Sequence, residues 1–67
     1  MPQPSIAARI KAARKACHED VHTFGLRFYR SGRSVEAWES GRRVPEPLVL
    51  IRLEALEKKI AAGALSA

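Results

Sequence analysis

An all-α domain of four helices, five at most, is the fold class predicted for this 67-residue chain, and three observations predict it. Apolar residues recur at steps of three and four in four successive segments. Each segment is bounded by helix-stop or helix-start residues: Ser5, Asp20, Ser31, Gly41, Pro45 and Pro47. Nowhere does the strict apolar–polar alternation of a half-buried strand appear, and no internal repeat or low-complexity tract interrupts the pattern.

In chain order, Pro4-Ser5 opens the first helix with Ser5 as N-cap, and Ile6, Ile10, Ala13 and Cys17 form its inward stripe. Arg9, Lys11, Arg14 and Lys15 fall off that stripe and face water. Asp20 caps a second helix whose face is Val21, Phe24 and Phe28, with Gly25 beside it. Glycine inside a helix costs roughly 1 kcal/mol relative to alanine, so close approach of another helix is the expected reason for it. Tyr29-Arg30-Ser31-Gly32 breaks the pattern. Ser31 then caps a third helix that turns Val35 and Trp38 inward and ends at Gly41 in the C′ position. Pro47 suits the first turn of a long last helix over residues 46–62, apolar on a broad face of Leu48, Val49, Leu50, Ile51, Leu53, Leu56 and Ile60. Beyond Gly63 the chain reads as a frayed Ala/Ser end.

Length and composition bound the function. Sixty-seven residues make one domain, residues 1–67, with a modest core. A single cysteine excludes an intrachain disulfide and suits a reducing, cytoplasmic compartment. On the inward stripe it reads as a small core residue rather than a nucleophile. No run of about 18 apolar residues points to a membrane span, and Met1-Pro2-Gln3-Pro4 does not read as a signal peptide. Twelve basic against seven acidic residues give a net charge of +5. Residues 1–45 hold nine of the basic and four of the acidic residues, while residues 46–67 hold three of each. The whole excess therefore lies before the last helix. A basic body of this kind can face a polyanion, or it can simply aid solubility.

Two helices around a short turn, with small Gly25 in the first and β-branched Val35 in the second, meet the packing demands of a helix-turn-helix over residues 20–41. Here the sequence resembles a family. Trp38-Glu39-Ser40-Gly41-Arg42-Arg43-Val44-Pro45 matches the W-E-x-G-x-x-x-P signature of the lambda-repressor/Cro-like helix-turn-helix domains, the XRE family. Without a gap, Val35, Phe28, Gly25, Phe24 and Asp20 fall on the family's apolar, small and capping positions. Arg9-Ile10 and Arg14 fall on its R-[IL]-x-x-x-R run. The resemblance covers roughly residues 5–57. Three places depart from it: Val21 stands where a phosphate-touching Gln is common, His18-Glu19 replaces a usual Gly-Leu, and Tyr29-Arg30 replaces the Gly-Val of the turn.

The resemblance implies double-stranded DNA as partner, with the third helix in the major groove. Base reading would then fall to Gly32, Arg33, Ser34, Glu36 and Ala37. Among these only Arg33 has the reach and planar donors for a bidentate contact to guanine. Arg33 can equally be a solvated residue paired with Glu36, and Glu36 can accept from cytosine or merely hold Arg33. Phosphate contacts are expected from Arg42, Arg43, Arg30 and Ser31. The family pattern pairs Arg14 with Glu39, which makes both structural. A homodimer on a pseudo-palindromic operator is expected, with Leu53, Leu56 and Ile60 as its interface. The result would be a transcriptional regulator acting as a repressor. The competing expectation is a protein-interaction module, a phage-type inhibitor or antitoxin component, gripping a protein with the apolar face of the last helix. Binding of the first helix to a membrane surface is a weaker third reading, because its stripe is rich in alanine. No nucleophile–base arrangement or phosphate loop marks an enzyme, and no cofactor or small-molecule substrate is indicated. His18 and His22 lack a third metal ligand and read as surface or capping residues.

Overall fold

Local capping chemistry sets where each helix begins. A computed structural model describes residues 4–63, and the Ala/Ser end read from the sequence lies outside them, as do the first three residues. Helix α1 spans Ile6–Ala16, α2 Val21–Leu26, α3 Gly32–Glu39 and α4 Pro47–Ala61. The Ser5 hydroxyl accepts from the Ala8 N–H, the Asp20 carboxylate from Thr23 and the Ser31 hydroxyl from Ser34. Each satisfies one first-turn donor that the helix itself leaves unpaired. Glu46 makes no side-chain cap, and Pro47 at the start of α4 removes one donor that would need one. All-α is therefore the observed class, with four helices and no strand among the described residues.

The helix ends share one device. Residues His18, Tyr29, Gly41 and Gly63 all take positive φ, at 56°, 57°, 78° and 73°. At the end of α3 the Gly41 N–H donates to the Trp38 carbonyl and the Arg42 N–H to Ala37, a Schellman closure. The same pair of bonds recurs at His18-Glu19, to Lys15 and Arg14, and at Tyr29-Arg30, to Leu26 and Gly25. Two of the four left-handed positions thus carry bulky side chains, which incur a backbone penalty that glycine avoids.

The core lies where the four helices converge. Ile10, Ala13, Phe24, Phe28, Val35, Trp38, Val49, Leu53 and Leu56 are buried, with Ile6, Cys17, Val21 and Ile60 packed around them. Phe24, Phe28 and Trp38 form an edge-to-face chain, with centroids 5.1 and 6.1 Å apart. Phe28 reaches this chain from the turn, beyond the last residue of α2. Gly25 is buried for a different reason from the one expected. A Cβ there would stand 2.5 Å from the Arg30 carbonyl oxygen and 3.0 Å from that of Ser31, so it is the returning turn, not another helix, that requires glycine.

Of the residues expected at a dimer interface, Leu53 and Leu56 belong to the chain's own core and Ile60, half-buried, packs against it. Periodicity marks the face as apolar, and α1 packs against it within one chain. The exposed large apolar residues of α4 are Leu48 and Ile51, at 56% and 66% exposure. Among the described residues no helix is long and apolar enough to cross a membrane.

Candidate nucleic-acid interface

Helix α3 is held from behind and left open in front. Val35 and Trp38 anchor its inner side in the core. At its end the Arg14 guanidinium makes a bidentate pair with Glu39, Nε to Oε2 at 2.6 Å and Nη2 to Oε1 at 3.1 Å, and donates from Nη1 to the Glu19 carbonyl. Hydrogen bonding to Glu39 raises the Arg14 pKa above its ordinary value, outweighing the partial desolvation that opposes charge. This fork-to-fork geometry ties α1 to α3 and to the segment before α2. The pair expected from the family pattern is thus present and structural.

Arg33, Glu36 and Ala37 line an open groove with Val21 of α2, with Ser40 and Arg42 at the exit of α3, and with the Arg14–Glu39 pair itself. Arg33, Arg42 and Arg43 are exposed and have no ion-pair partner among the described residues. Arg33 therefore is not held by Glu36. Glu36 is exposed and likewise unpaired among the described residues, a negative charge beside Arg33 and Arg42. The backbones of Arg42 and Arg43 are fixed, because both N–H groups donate to the Ala37 carbonyl, at 2.9 and 3.2 Å. Ala37 presents a half-buried methyl to the groove.

Four expected contact residues have other work. Arg30 donates to Glu46 and to its own neighbour's carbonyl at Tyr29, so it ties the turn to the start of α4. The Ser31 hydroxyl is the α3 cap and lies 3.4 Å from the Ser34 Oγ, which occupies both hydroxyls locally. Gly32 faces inward: a Cβ would lie 3.2 Å from the His22 backbone, so glycine permits α3 to approach α2. Of the expected contact residues, Arg33, Glu36, Ala37 and Arg42 line the open groove, and Arg43 follows directly in the chain.

The ion pairs that neutralise the rest of the body leave no pattern in the sequence. Arg9 makes a bidentate pair with Glu57, at 3.0 and 2.6 Å, and Arg27 one with Glu19, both contacts at 2.8 Å. The first spans 48 positions and carries no local signal. Cys17 is half-buried, and burial pushes its thiol pKa up, opposite to the shift a nucleophilic thiolate needs. Among the described residues no group of three His, Cys, Asp or Glu side chains is placed to hold a metal ion. No family model, curated protein or solved structure matches this chain.

Proposed function

We propose that the chain is a helix-turn-helix DNA-binding protein of lambda-repressor/Cro-like architecture that reads double-stranded DNA with the outer face of α3. The observation that carries this reading is the distribution of partners among the arginines. Arg9, Arg14, Arg27 and Arg30 are each paired with a carboxylate, whereas Arg33, Arg42 and Arg43, along α3 and its exit, are not. The remaining arginine, Arg52, lies over the Tyr29 ring on the far side of the turn. Unpaired guanidinium groups on one helix face and in the loop just after it suit a helix that enters a groove between two phosphate backbones. The left-handed backbone at His18 and Tyr29 adds support, since these are the positions where the resemblance expects glycine.

In this reading Arg33 donates to a guanine edge and Ala37 packs on a thymine methyl, while Arg42 and Arg43 clamp phosphates. A repressor role follows if two copies cover a pseudo-palindromic operator with half-sites about 10–10.5 bp apart. Leu48 and Ile51, rather than Leu53 and Leu56, are then the apolar residues of α4 open to a second copy. Gel shifts with selected and scrambled duplexes across a salt series test the reading. Replacing Arg42 and Arg43 by alanine should weaken all sequences alike and lower the salt slope by roughly one per residue. Absence of sequence preference at every salt concentration would refute it.

A further inference from the structure

Of the seven acidic residues in the sequence, six have an occupation. Glu19 is held by Arg27, Glu39 by Arg14, Glu46 by Arg30 and Glu57 by Arg9, Glu54 pairs with Lys58, and Asp20 caps α2. The seventh, Glu36, has no such partner among the described residues, and it stands in the groove along α3. Glu39 lines the same groove, but the Arg14 fork takes both of its oxygens. Cations are at hand for Glu36 too. Arg33 lies three residues earlier on the same helix, a spacing at which side chains meet, and Arg42 lines the same groove; neither is engaged by it. On a face that meets phosphate backbones a free carboxylate opposes binding, because it carries the sign of the polyanion. Its place there makes sense if it meets a hydrogen-bond donor between the two backbones.

We propose that Glu36 determines specificity by accepting from the N4 amine of a cytosine in the major groove, a role that rests on the DNA reading of the α3 face. An ionised carboxylate only accepts. Guanine shows N7 and O6 on that edge and thymine shows O4, all acceptors that repel it. Adenine sets an N7 acceptor beside its N6 donor. Cytosine alone offers a donor with no acceptor of its own. Three residues advance about 4.5 Å along a helix, against about 3.4 Å per base pair. The cytosine therefore falls within two base pairs of the guanine that Arg33 contacts. The same charge holds back binding to duplexes that present no amine at that position, so Glu36 sharpens selection at the expense of general affinity.

The test selects binding sites from random duplexes with the natural chain, Glu36→Gln and Glu36→Ala, and measures scrambled-duplex affinity alongside. The natural chain should enrich a guanine and, within two base pairs, a cytosine. Glu36→Gln, whose amide both donates and accepts, should move the second preference from cytosine to adenine. Glu36→Ala should flatten it, a loss of roughly tenfold in discrimination. Both variants should keep the guanine and bind scrambled duplex several-fold more tightly than the natural chain, with Tm unchanged because the side chain is exposed. N4-methylcytosine at the selected position keeps the Watson–Crick pair but puts a methyl where the free N–H stood. It should weaken the natural chain roughly tenfold and leave Glu36→Ala unaffected. If the natural chain selects a site and the variants select the same one, or lose the guanine instead of the cytosine, the role of Glu36 is overturned while that of α3 stands. No selection by the natural chain at any salt concentration overturns both.

Discussion

Two arginines that line the groove along α3 meet opposite fates. Arg14, half-buried, is locked in a bidentate pair with Glu39 and a third bond to the Glu19 carbonyl. Arg33, exposed in the same groove, touches no carboxylate among the described residues. The same residue type thus fastens the helix at one point of the groove and stays available at another. A cation that a fold does not use is free for an external anion, and here such cations gather on a helix whose inner side is immobilised by Val35 and Trp38. The contrast separates mutations that should damage the scaffold from those that should damage recognition.

Scaffold changes should have the largest effects. Trp38→Ala removes a buried indole and should cost about 3–5 kcal/mol, most of the stability of so small a domain, with Tm lost in thermal melts and the proposed DNA binding lost with it in gel shifts. Glu39→Ala leaves the half-buried Arg14 fork unpaired and should cost about 2 kcal/mol by urea denaturation. Any sequence preference should survive it, since neither partner is placed to read bases. His18→Gly should move stability the other way, raising it by about 1 kcal/mol by relieving a left-handed backbone at the end of α1. Tyr29→Gly should gain less, because it also removes the ring under Arg52.

The smallest effect is one of pH. The backbone N–H and hydroxyl of Thr23 hold the Asp20 carboxyl below its ordinary pKa. A carboxyl with a depressed folded-state pKa contributes stability that is complete above its unfolded value, about 3.9, and is lost as pH falls toward the folded value. Acid titration of Tm should show this loss below about pH 4, and Asp20→Asn, which keeps the cap without the charge, should remove that component.

What could be read from the residues alone follows the range of the interactions. Ser5, Asp20, Ser31 and Gly41 act on neighbours within three or four positions, and their roles were legible. The Arg14–Glu39 pair came from the family resemblance. The burial of Leu53 and Leu56 was not legible as such, because a 3.6-residue period shows that a face is apolar but not which helix covers it. Arg9–Glu57 and Arg30–Glu46 depend on the path of the chain, so which charges stay without a partner emerged only in three dimensions. Gly25 stands out in the sequence for its cost, yet the carbonyls that demand it belong to the turn that follows.

That Arg33 reads bases while contributing nothing to the fold is tested most directly by selecting binding sites from random duplexes with the natural chain and with Arg33→Ala. The natural chain should enrich a pseudo-palindromic site containing guanine at one or two positions per half-site. Arg33→Ala should lose those positions alone, at a cost of about 1–3 kcal/mol in discrimination, with Tm unchanged. An unaltered preference in the variant, or a preference lost together with the fold, would contradict it.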